Sequence, residues 1–164
     1  MMNLLMWVEH LSYSTWVRES DSLLAFPMFL FLHTLGMALL AGGSAVIDLA
    51  LLGLWPKTPL RPLGRLFPLL LWAFAINAFT GISIYMKDAS TYSRNPDFYI
   101  KLIFIVLAMV LLFRIRRQVF GDPELDTRPL PSYVKTLAWA SLICWFGAIV
   151  TGRLIAYVGP VAGL

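Results

Sequence analysis

The side chains able to do chemistry in this chain are few, and several of them fall on one helical face. His33 stands alone in the apolar run from Leu23 to Leu54. At about 100° per residue, His33, Gly36, Met37, Leu40, Gly43, Ser44 and Asp48 project to one side of that run. An imidazole in hydrocarbon is costly unless something binds it, so it is a functional suspect. Two chemistries suit it. A ring nitrogen can ligate the iron of haem b, with the small residues alongside making room for a porphyrin. It can equally hydrogen-bond a quinone headgroup. The structural alternative is a histidine that bonds Asn77, Thr80 or a backbone carbonyl and fixes packing.

Depth sharpens the list. His33 lies about eleven residues into the run, roughly 15 Å at ~1.5 Å per residue, near the midplane of a ~30 Å hydrocarbon layer. Counting inward from the same surface brings Asn77, Met109 and Trp145 to that layer, with Thr80 one turn nearer the surface. The only other histidine is His10. A bis-imidazole haem therefore needs His10 folded over, or the His33 of a second protomer. Met37, Met86 and Met109 are the methionine alternatives. His and Met are also soft ligands of the kind a metal-ion or small-solute transporter would use.

Three charged residues near span ends complete the candidates. Arg153 can pair with Glu19, Asp21 or Asp97, or receive an acidic group such as a propionate or a lipid phosphate, and Lys101 can join it. Asp48 is expected to pair with Arg65, Arg114 or Arg116. No nucleophile elbow, HExxH or Gly-rich phosphate loop occurs, so nothing points to an enzyme.

The elements that must position these residues are transmembrane. Charged residues make up 13% of the chain and hydrophobic ones 59%, against roughly 25% charged in soluble domains. One integral membrane domain fills residues 1–164. Spans are expected at about 23–54, 66–86, 98–117 and 133–158, with Ser20, Asp21 and Ser22 offering cap oxygens to the first. Asn95-Pro96 reads as a cap followed by proline in the first turn of the third. Residues 3–18 mix Trp7, Leu11 and Trp16 with polar residues and read as an interfacial amphipathic helix. They lack the basic region and cleavage site of a signal peptide. The expected fold is all-α, a four-helix transmembrane bundle in up-down-up-down order preceded by that helix.

A pI near 9.5 invites a nucleic-acid reading. The basic residues instead cluster in short loops, without an aromatic-interleaved face, so membrane orientation explains them. Lys57, Arg61, Arg65, Arg114, Arg116, Arg117, Arg128 and Lys135 lie on one side, and Arg18, Lys87, Arg94, Lys101 and Arg153 on the other. The heavier side faces the cytoplasm by the positive-inside rule, which places both termini in the periplasm. The single cysteine, Cys144, rules out an intrachain disulfide and reads as a buried, inert thiol.

Three segments, FPMFLFLHTLGMALLAGGSAVIDLALLGL at 26–54, NPDFYIKL at 95–102 and WFGAIVTGRLIAY at 145–157, resemble an uncharacterised bacterial family of four-span inner-membrane proteins. The likeness runs over nearly the whole chain. It is looser to the membrane domains of copper-resistance proteins and b-type cytochromes. The resemblance implies the same architecture and a bacterial inner-membrane location, but no established activity. Leu30 stands where the family commonly carries a glutamate three residues before the histidine, so a Glu–His pair is not implied here.

The resulting expectation is a non-enzymatic, redox-associated subunit that binds haem b or quinone near His33. It would work as a homo-oligomer or within a larger membrane complex. Its site would comprise His33, Gly36, Met37, Asn77, Met109, Trp145 and Arg153, with His33 the one candidate metal ligand. A transporter and a structural or assembly subunit are the alternatives. A polar stripe crossing more than one span would favour the transporter.

Overall fold

Proline and glycine positions decide where the helices of this chain begin and end. The computed structural model describes residues 2–127, 129–155 and 157. It contains α1 (Met2–Glu9), α2 (Ser12–Glu19), α3 (Phe26–Leu51), a 3-10 turn (Arg61–Arg65), α4 (Leu66–Met86), α5 (Ala89–Tyr92), α6 (Pro96–Gln118) and α7 (Ser132–Leu154). Among the described residues there is no strand, and the fold is all-α.

Pro27 lies in the first turn of α3, where its missing N–H costs nothing. Ser20 and Ser22 do not cap this helix. Their hydroxyls accept from Ser22 N and Leu24 N, each at 3.2 Å, and fold the preceding segment into a turn. The span therefore starts at Phe26 rather than at residue 23. It stops at a glycine. Gly53 has φ +90°, Gly53 N–H donates to Ala50 O at 3.0 Å, and Leu54 N–H donates to Leu49 O at 3.1 Å. This left-handed terminus satisfies the last carbonyls and ends the helix at Leu51, before residue 54. The second span runs over the residues the sequence suggested, and α6 and α7 shift by a few positions at their ends. Asn95 caps α6, its Oδ1 accepting from Asp97 N at 2.9 Å, with Pro96 in the first turn.

The expected single helix over 3–18 is instead two short ones. Leu11 is extended (ψ 140°). The Ser14 hydroxyl donates back to Val8 O at 2.7 Å, and the His10 ring bonds Met6 O at 2.6 Å. Glu9 turns inward and accepts the Ser90 N–H, tying α1 to α5. Burial alone would raise the Glu9 carboxyl. The backbone and hydroxyl bonds from Ser90 outweigh it and hold the group below its ordinary 4.5. The bound form is thus the carboxylate. Its stabilisation is complete above 4.5 and is lost as pH falls through the depressed value. Amide hydrogen exchange in α1 is expected to speed up over that acid range. Glu9→Gln should reproduce the fast exchange at neutral pH, and equal protection in both proteins would remove the tether.

The long helices pack as two antiparallel hairpins, α3–α4 and α6–α7, joined where α3 lies against α7. The upper end carries α1, α2 and α5, and the lower end carries the connections 52–65 and 119–131. At the lower end Asp126 accepts from Leu60 N at 2.7 Å and Arg61 N at 3.2 Å, and Phe67 meets Phe120 edge-on at 5.1 Å. Only 22–39% of each span's most apolar stretch is buried. Large apolar side chains such as Phe31, Trp72, Phe79, Ile103, Ile143 and Phe146 therefore face outward. Four helices this long and apolar fit a multi-pass membrane protein whose outer faces meet lipid.

Candidate functional site

Glycines on α3 and α4 bring the two helices close enough for their polar groups to meet. A Cβ on Gly36 would lie 3.2 Å from Ala73 O and 3.3 Å from Asn77 Cβ, and one on Gly43 would lie 2.6 Å from Leu70 Cδ2. The small-residue face of α3 is therefore filled by α4. It is not left open for a flat ligand. Gly81 does the same from the other side, its missing Cβ leaving room for His33 Cε1 at 3.0 Å.

The close approach makes a reciprocal bond. Asn77 Nδ2 donates to His33 O at 2.8 Å, while His33 Nδ1 lies 3.1 Å from Asn77 O and 3.1 Å from Thr80 Oγ1. Asn77 O only accepts, and the Thr80 hydroxyl has carbonyls of its own helix to donate to, Ile76 O at 2.8 Å and Asn77 O at 3.2 Å. The ring proton must therefore sit on Nδ1. This leaves Nε2 with a lone pair and no partner among the described residues. Nε2 is also not among the sealed polar atoms. A backbone carbonyl holding Nδ1–H is the arrangement that orients a ligating or accepting imidazole.

Two further groups frame the ring. Phe29, one turn above His33, meets Tyr13 and Trp16 edge-on and lies 6.0 Å from Phe79. Tyr13 also bonds Ser83 at 2.8 Å, so α2 forms an aromatic lid over the upper end of the α3–α4 seam. On the other hairpin, half-buried Lys101 lays its aliphatic arm over Gly152, with Cε 3.3 Å from where a Cβ would stand. Its ammonium makes no ion pair or hydrogen bond among the described residues and is near enough to His33 to act on it electrostatically.

The sequence candidates separate into two levels. Asn77 and Thr80 meet His33 directly, and half-buried Met37 packs against the core one turn below. Trp145 and Met109 are buried in the core cluster and make no bond to His33. Asp48 faces Ser141 across α3 and α7. Antiparallel packing then puts Trp145 level with Ser44, roughly 16 Å below His33 at ~1.5 Å per residue. By the same rise Met109 lies roughly 12 Å below Lys101. Counting inward from span ends brought them level because it could not see where α7 stops or how α3 meets it.

Arg153 is exposed. Its guanidinium lies 5.8 Å from the Tyr157 ring and 3.5 Å from the Tyr157 hydroxyl, and it pairs with no acid among the described residues. Glu19 is taken by Arg18 at 2.8 Å. Asp48 also lacks its expected arginine. It is sealed against α7, whereas Arg65, Arg114 and Arg116 stay exposed at the lower rim and Arg116 packs over Phe67. Cys144 is a buried free thiol. Among the described residues no three or more His, Cys, Asp or Glu side chains gather as a metal-binding group. The lid residues Tyr13, Phe29 and Phe79 escaped sequence reasoning. Gly81 did not need to, since Ala73, Asn77 and Gly81 recur every fourth residue on one α4 face. No family model, curated protein or solved structure matches the chain.

Proposed function

We propose that this protein is a redox-associated subunit of a bacterial inner membrane that receives a quinone headgroup at His33. One observation carries the reading: Nδ1–H is committed to Asn77 O and Thr80, which leaves Nε2 an acceptor without a partner among the described residues. That lone pair can take the hydroxyl proton of a quinol through a hydrogen bond. The Lys101 ammonium, in the same upper layer, can donate to a quinone carbonyl. The group is lipid-soluble, and apolar outer faces let it arrive through the bilayer. Asn77 and Thr80 hold the ring, and the lid above it limits water.

Haem b would use the same lone pair and would supply one-electron chemistry. The α3–α4 seam is closed at Gly36 and Gly43, so a porphyrin fits only on the outward side of His33, shared with a second protomer. This second reading keeps the homo-oligomer expected from the histidine count. Both termini would face the periplasm, the orientation that the lysine and arginine distribution favours.

Purified protein in lipid nanodiscs, kept under reducing conditions, titrated with a short-tailed benzoquinol and followed by tryptophan fluorescence, tests the proposal. Saturable binding is expected, weakened about tenfold in His33→Gln, which is the value of one net hydrogen bond of about 1.4 kcal/mol. Equal binding by both proteins would refute it. An absorption band of haem that disappears in His33→Ala would select the haem reading. If His33→Gln lowers only thermal stability, a structural subunit remains. Solute or metal-ion flux in proteoliposomes that His33→Gln abolishes would select the transporter.

A further inference from the structure

A second polar cluster lies at the α3–α7 interface, apart from His33. Ser44 and Asp48 stand one turn apart on α3, and Ser141 and Trp145 one turn apart on α7. Their relative exposures are 0%, 1%, 0% and 2%. The Asp48 carboxyl faces Ser141, yet Ser44 Oγ, Asp48 Oδ2, Ser141 Oγ and Trp145 Nε1 each lack a hydrogen-bond partner among the described residues. Buried polar atoms are almost always satisfied. Four orphans at one seam call for something polar to complete them. No cation among the described residues serves Asp48. Arg65 at the start of α4, Arg114 and Arg116 on α6, and Lys135 on α7 are all exposed, and none pairs with it. A carboxylate sealed there would be an uncompensated charge in an apolar interior.

We propose that this cluster is a proton-binding site in which Asp48 is held as the neutral acid and ordered water links it to Ser44, Ser141 and Trp145. The donor inventory selects the occupant. Trp145 Nε1–H can only donate, so its partner must accept, which a bare cation cannot do. Water accepts from Trp145 and donates to a serine or carboxyl oxygen. The acid O–H of Asp48 then donates to Ser141 or to the same water. The site stores one proton in the lower half of the bundle. It does not rest on any ligand at His33, because sealed Leu40 and Ala148 interrupt the polar ladder between them.

Infrared spectra of the intact protein in lipid vesicles, at neutral pH and without sodium, test this directly. A carbonyl band of a protonated carboxylic acid is expected, absent in Asp48→Asn and displaced in Ser141→Ala and Trp145→Phe. Asp48→Asn keeps the shape and the neutral state, so it is expected to fold and melt as the parent does. The proposal fails if the parent shows no acid band, or if the band is unchanged in Asp48→Asn. It also fails if added sodium converts the band to carboxylate, which would make this a sodium site. Should Asp48→Asn not fold, the displacement in Trp145→Phe decides, and an unmoved band there overturns the assignment.

Discussion

Gly36→Leu is expected to destabilise the bundle by about 3 kcal/mol, the upper end of the cost of overpacking a close-packed interior. The reason is what a side chain would strike. One obstacle is a backbone carbonyl, Ala73 O at 3.2 Å, and the other is the Cβ of buried Asn77 at 3.3 Å. Neither is the loose end of a flexible chain. Moving α4 away would also stretch the 2.8 Å bond from Asn77 Nδ2 to His33 O and the paired contacts at His33 Nδ1. Stability and site should therefore fall together. Gly42→Leu is the control, because a Cβ there meets nothing within 4 Å; its change should stay within about 0.5 kcal/mol. Reversible unfolding in mixed micelles measures both. Equal losses for the two variants would mean that the seam is not the close contact described.

Trp145→Ala is expected to cost about 3 kcal/mol, the low end of the large-to-small range in soluble cores. Trp145 is the largest of the fully buried side chains and belongs to the cluster that joins the two hairpins. Lipid tails are as apolar as the bundle interior, so little hydrophobic transfer is lost. What remains is the lost packing around a large void. Trp145→Phe keeps most of that volume and also removes an indole N–H that no group among the described residues accepts. Its loss should be less than half as large. If Phe and Ala prove equally costly, the indole N–H matters more than the ring, and packing is not the main role of Trp145.

Most of the architecture was legible because each span carries its own marks. Four apolar stretches, Asn95-Pro96 at the head of α6 and loop arginines all read directly from residue type. Ends governed by backbone geometry were harder. Gly53 stops α3 through a positive φ, whereas residue type alone carried the apolar run on to Leu54. The split between α1 and α2 depends on Glu9 reaching Ser90, a contact between residues 81 positions apart that no local pattern displays. The candidate site was half legible. His33 with Asn77 and Thr80 followed from counting along two helices that pack as a hairpin. Met109 and Trp145 were misplaced in depth because they sit on the other hairpin, whose register against α3 is set by side-chain packing. Likewise, Asp48 reads as a partner for arginine until its direction toward α7 is known.

The state of the His33 ring can be measured most directly by nitrogen NMR of the protein with isotopically labelled histidine in lipid bilayers. The expected spectrum for His33, assigned by comparison with His33→Gln, has one protonated nitrogen, Nδ1, and one unprotonated nitrogen, Nε2. Adding a short-tailed quinol should shift Nε2 and leave Nδ1 in place. A proton found on Nε2, or an Nε2 signal indifferent to the quinol, would contradict a free acceptor at this position and with it the proposed site.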